Sequence, residues 1–65
     1  MKISVNGDPH EVTSERLSAV LDELGYGAAK VATAINEAFV PAGQRTTTPV
    51  REGDRLEIVA PRQGG

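Results

Sequence analysis

The residues best placed for chemistry are the last two, Gly64 and Gly65, in the closing stretch Pro61-Arg62-Gln63-Gly64-Gly65. Glycine has no Cβ, so an extended Gly-Gly backbone threads a narrow channel and adopts angles closed to other residues. An α-carboxyl with a reference pKa of about 3.3 to 3.7 is ionised at neutral pH. As an oxygen nucleophile it can attack the α-phosphate of ATP. The chain carries no phosphate loop of its own, because Gly25 and Gly27 flank Tyr26 after a helical stretch, whereas such a loop follows a strand and opens a helix. They read as a helix stop and turn. The expected chemistry is therefore done to this chain by an enzyme that supplies the phosphate and metal clamps. At an average glycine usage of about 7%, two terminal glycines arise by chance in about one chain in two hundred.

Other polar residues have plainer readings. His10 has no cysteine and no second histidine to share a metal with, so it reads as a solvent-facing strand residue. Asp22 and Glu23 are neighbours on a helix, where adjacent side chains do not face each other, and they read as solvated surface. Ser14 and Ser18 lack the base and orienting partner that a serine nucleophile needs; they read as helix-capping residues. Thr46, Thr47 and Thr48 form an ordinary polar loop. Phe39 stands beside Val40 in a short two-sided strand, so one of the two faces away from the helix. Core and surface both stay open for Phe39, and an exposed apolar group there would mark a partner surface.

Bulk properties bound the function. A 65-residue chain buries only about 60% of the surface its unfolded form exposes, which leaves no room for a large enclosed active site. No cysteine is present, so no disulfide staples the fold, and the composition fits a reducing compartment. Seven basic and nine acidic residues give a net charge of -2 without a basic stripe, and Tyr26 and Phe39 are the only aromatics. Nucleic acid is therefore a poor partner. Met1 to Asn6 alternates apolar and polar residues and has no continuous apolar run of the kind a signal peptide or membrane span requires. A soluble, cytoplasmic protein with no membrane association is expected.

The elements that must present the tail follow from local patterns. Ile3 and Val5 alternate on a first strand that Asn6-Gly7 turns into a hairpin, with a second strand over about His10 to Thr13 and Pro9 at its start. Leu17, Val20, Leu21 and Leu24 recur at i, i+3, i+4 and i+7 and predict one amphipathic helix that Gly25 ends. Lys30 to Asn36 reads as a buried central strand, Phe39-Val40 as a short one closed by Pro41, Ala42 to Val50 as turns, and Arg55 to Ala60 as the last strand. Strand, strand, helix and three strands make an α+β domain, a mixed sheet of four to five strands with one main helix packed across it. That order is the β-grasp, or ubiquitin-like, arrangement, with residues 1–60 as the domain and residues 61–65 as a flexible tail.

The sequence resembles the ThiS family of thiamine-biosynthesis sulfur carriers along essentially its whole length. The likeness lies in "VNG" (Val5 to Gly7), "LDELG" (Leu21 to Gly25), "AIN" with "VP" (Ala34 to Asn36, Val40 and Pro41), "EGDRLEIV" (Glu52 to Val59) and the terminal "GG". The resemblance implies that the chain is not itself an enzyme and binds no cofactor. A ubiquitin-activating-type (ThiF-like) enzyme would use ATP to adenylate the carboxylate of Gly65, which would become a thiocarboxylate. Thiazole synthase (ThiG-like) would receive the sulfur. Gly64 and Gln63 would thread the partner's channel. Residues of the last strand, Ile58 among them, would dock on the activating enzyme together with Phe39, and Arg62 would pair with an acidic channel. The chain would be a monomer forming transient complexes. It departs from the family pattern at Ala42, where an arginine is usual, at Arg45, where an aromatic is usual, and at Pro61 and Arg62 in the tail. A small subunit of molybdopterin synthase and a carrier for another sulfur-containing metabolite share the same tail chemistry and remain alternatives, and so, from a different class, does a ubiquitin-like modifier that forms isopeptide bonds with lysines.

Overall fold

Ile3 and Val5 face the interior from the first strand, β1 (Lys2–Val5), as their alternation predicts. Asn6 (φ 51°) and Gly7 (φ 89°) supply the two left-handed residues of a tight hairpin turn, and β2 (Asp8–Glu11) returns antiparallel. The computed structural model describes residues 1–27 and 29–60. The second strand begins at Asp8 rather than His10, and Pro9 lies within it opposite Ser4 rather than at its start. β2 is an edge strand, where a residue without an N–H can turn that side to solvent.

The helix α1 (Leu17–Glu23) buries Leu17, Val20 and Leu21, while Leu24 follows it half-buried. Gly25 (φ 92°) ends it: the Gly25 N–H donates to the Asp22 carbonyl at 3.0 Å and the Tyr26 N–H to the Leu21 carbonyl at 2.8 Å. These two bonds are the paired closure of a Schellman motif, which needs a left-handed residue at this position. The start of the helix differs from expectation. Neither Ser14 nor Ser18 caps it; the cap position is Arg16, which makes no side-chain capping bond. The loop after the fourth strand does that work instead, since the Thr48 carbonyl accepts the Leu17 N–H at 2.9 Å and the Arg45 carbonyl accepts the Ser18 N–H at 3.1 Å.

β3 (Ala32–Ile35) and β4 (Ala38–Val40) form a second hairpin, turned by Asn36 (φ 49°) and Glu37 (φ 72°). β3 is shorter than the run Lys30 to Asn36 and is not buried on both faces: only Thr33 is buried, and Ala32 is exposed. One helix covers one face of a sheet, so small alanines on the other face look apolar in sequence while standing in water. A 3-10 turn at Ala42–Gln44 interrupts the loop that follows. Val50, from the turn-like stretch, belongs to the core at 3% exposure.

The last strand, β5 (Arg55–Val59), sits in the middle of a five-stranded sheet of order β2-β1-β5-β3-β4, parallel to β1 and antiparallel to β3. Leu56 and Ile58 point inward and join Ile3, Val5 and the helix residues in one core. Each such side chain, fully buried, contributes about 1.5 to 3 kcal/mol. First and last strands side by side, with the helix crossing between hairpins, are the β-grasp arrangement.

Candidate functional site

β5 is the element from which the chain continues toward Pro61, and its outward side chains define the surface beside that exit. In the register, Glu57 lies opposite Ala34 and Val59 opposite Ala32 across β3, and Phe39 lies opposite Ala34 across β4. Alanine's short side chain leaves a depression between its larger neighbours. The result is an open hollow of about 220 Å³ lined by Ala32, Ala34, Phe39, Glu57 and Val59, with Asn6 at its rim. Phe39 is 68% and Val59 63% exposed, the two large apolar side chains that stand in solvent among the described residues. The volume falls below the roughly 300 Å³ at which small-molecule pockets begin, so the hollow suits a partner's side chain better than a free metabolite.

Phe39 is thus a surface residue and Val40, 7% exposed, is the core member of the pair. Ile58 is the opposite of what docking requires. It is 6% exposed and packed in the core, because β5 alternates and the side chains it offers to a partner are those of Arg55, Glu57 and Val59. Arg62, Gln63, Gly64 and Gly65 lie outside the described residues, as does Pro61. His10 is exposed on the edge strand, and the hydroxyls of Thr47 and Thr48 donate back to the Gln44 carbonyl within their own loop.

Four polar residues, Asn6, Arg45, Thr33 and Glu23, organise the frame behind this surface, and their roles were not read from the sequence. Asn6 Oδ1 accepts the Ile58 N–H at 2.8 Å and Asn6 Nδ2 donates to the Ile58 carbonyl at 3.1 Å. Arg45, standing where the family pattern has an aromatic, is half-buried; its Nε donates to Thr33 Oγ1 at 3.2 Å and its Nη2 to the Val31 carbonyl. Thr33, 2% exposed, is satisfied by that bond and by donating to the Val40 carbonyl at 2.9 Å. Glu23 is exposed but not merely solvated: its carboxylate accepts the Thr13 N–H and the Ser14 N–H. These backbone donors, Thr13 first, hold its pKa below the ordinary value for a glutamate carboxyl against a smaller opposing push from burial. Apart from the Thr33–Val40 bond, seven positions apart within its hairpin, these bonds join residues nine to fourteen positions apart, or fifty-two for Asn6 and Ile58, beyond the reach of helical or hairpin spacing rules.

Among the described residues there is no group of three or more histidine, cysteine or carboxylate side chains that could hold a metal ion, and no helix long and apolar enough to cross a membrane.

A five-stranded mixed sheet clasping one helix, with its central last strand leading to the tail, defines a ubiquitin-like β-grasp domain. Residues 3–65 match the ThiS family, and the chain belongs to it. It is 36% identical over 61 residues to the sulfur carrier protein ThiS of Thermus thermophilus, an alignment covering 94% of this chain and 95% of that one. It is also 39% identical over 66 residues to a thiazole synthase of Paramagnetospirillum magneticum, where it takes in all of this chain but only 20% of that protein. The crystal structure of the thiamine biosynthesis protein (ThiS) from Geobacter metallireducens superposes with a TM-score of 0.85 at 26% identity and full coverage of both chains. A solution structure of a thiamine biosynthesis protein from the same organism gives 0.78 at 25% identity, over all of this chain and 88% of that one.

Proposed function

We propose that the chain is a sulfur carrier of thiamine biosynthesis whose reactive group is the carboxylate of Gly65. The observation that carries this reading is the family match across residues 3–65, which takes in the Gly64-Gly65 pair. A carboxylate oxygen attacks the α-phosphorus of ATP; the bond to the β-phosphate bridging oxygen breaks and pyrophosphate leaves. A hydrosulfide-class nucleophile then adds to the acyl carbon of the mixed anhydride and AMP departs, leaving the thiocarboxylate. The carrier contributes no catalytic side chain. The activating enzyme supplies the phosphate clamps, and Gly64 and Gln63 give the carboxylate a slim approach to them.

Partner docking uses the outer face of the sheet. Phe39 and Val59 offer apolar area, and Glu57 offers a charge for a basic group on the partner, all close to the end of β5. Arg62 adds a cation for an acidic channel. A stretch similar to this whole chain occurs within a polypeptide named thiazole synthase, which supports thiazole synthase rather than a pterin-modifying enzyme as the acceptor.

The test is ATP–pyrophosphate exchange with a ubiquitin-activating-type enzyme. Exchange that depends on the chain and disappears when Gly65 is deleted supports the reading. Exchange unaffected by the deletion would remove Gly65 from it.

A further inference from the structure

Asn6 serves two strands at once. Its backbone turns the β1–β2 hairpin, while its N–H donates to the Leu56 carbonyl at 2.9 Å. That bond is the last backbone rung to β5, since the parallel pairing of the strands runs only from Ser4–Arg55 to Val5–Leu56. Beyond it β1 has turned away, yet β5 continues to Val59. The N–H and C=O of one strand residue point to the same side, so both backbone groups of Ile58 face the space β1 has vacated. The Asn6 carboxamide fills it, acceptor to donor and donor to acceptor, at 2.8 and 3.1 Å. A side chain thus replaces the missing next residue of the strand. Past this point β5 keeps only its β3 neighbour, through the Ala32–Val59 pair.

We propose that Asn6 is a positioning residue for the tail: by gripping the backbone of Ile58 it sets the direction in which the chain leaves the sheet at Val59, and with it the presentation of the Gly65 carboxylate to an activating enzyme. This rests on the sulfur-carrier reading above. Asn6 also borders the outer hollow, so the clamp ties the docking surface to the root of the tail. Misplacing a reacting group by about 1 Å can cost on the order of a hundredfold in rate. Loss of the clamp acts on turnover through the path of the chain at Val59, and on docking only through the edge of the hollow that Asn6 borders, since the apolar side chain of Phe39 on β4 is kept.

The test compares Asn6→Gly with Ile3→Val. Glycine accepts the positive φ at position 6, so the hairpin is kept while the carboxamide is lost. Ile3→Val trims a buried side chain of the same strand and controls for a general loss of stability. Pyrophosphate exchange is followed across carrier concentrations, and amide hydrogen exchange is read at Ile58. We expect Asn6→Gly to lower kcat about tenfold with KM changed by less than about threefold, and to speed exchange at the Ile58 amide. Ile3→Val leaves kcat unchanged. A wild-type kcat for Asn6→Gly, or an equal loss in Ile3→Val, overturns the positioning role alone. A wild-type chain that supports no exchange removes the carrier reading and this role with it.

Discussion

The Glu23 carboxylate accepts the Thr13 backbone N–H through both of its oxygens, at 2.9 and 3.1 Å, and so ties the last turn of α1 to the strand exit ten residues earlier. Its pKa is lowered, so the sign is that of a carboxylate whose charged form is favoured on folding. The stabilisation is fully present above the ordinary glutamate value of 4.5, that of the unfolded chain, and is lost as pH falls below it through the lowered folded value. Glu23→Gln lowers Tm at pH 7, and its deficit against wild type shrinks as pH is taken toward 3. Thermal melts across that range check it; a deficit independent of pH would contradict it.

Arg45 binds the loop after β4 to Thr33 of β3 and to Val31 just before it, while its own carbonyl holds the Ser18 N–H at the start of the helix. Arg45→Met keeps most of the apolar stem and removes the donors, leaving the Val31 carbonyl without that partner. The cost should be about 1 to 3 kcal/mol in urea unfolding. Thr33→Val combined with it costs less than the sum of the two single changes, because both remove the same bond.

Neighbouring strands separate surface from core. Phe39→Ala, at a side chain 68% exposed, changes stability by less than about 0.5 kcal/mol. It weakens binding to the activating enzyme by on the order of tenfold or more if Phe39 is an anchor of that contact. Ile58→Ala, at 6% exposure, costs about 2 to 5 kcal/mol of stability. Calorimetry for binding and urea unfolding for stability distinguish the two. The reverse pattern would place docking on the wrong face.

What was legible in the sequence is what local spacing controls. Leu17, Val20 and Leu21 gave the helix and its buried face, Gly25 its end, and Asn6-Gly7 the first hairpin. The period-2 alternation of β5 also marks Leu56 and Ile58 as one face and Glu57 and Val59 as the other, but which face meets the helix depends on pairing with β1 and β3. Assigning Ile58 to a partner failed on that point. Ala32 and Ala34 misled because small apolar residues are as compatible with an open face as with a core. The helix caps from Thr48 and Arg45, and the clamp from Asn6 to Ile58, connect segments that meet only in the folded chain. The chemistry proposed for Gly65 rests on residue type and family membership and not on the fold, since residues 61–65 lie outside those described.

Under the proposed function, the Gly65 carboxylate becomes a thiocarboxylate. This conversion is tested most directly by intact-protein mass spectrometry after incubation with a ubiquitin-activating-type enzyme, ATP and a sulfide source, beside a chain lacking Gly65. The expected result is a mass increase equal to exchange of one oxygen for one sulfur in the full chain and none in the truncated one. Unmodified mass in both, while the same enzyme adenylates the full chain, would contradict it.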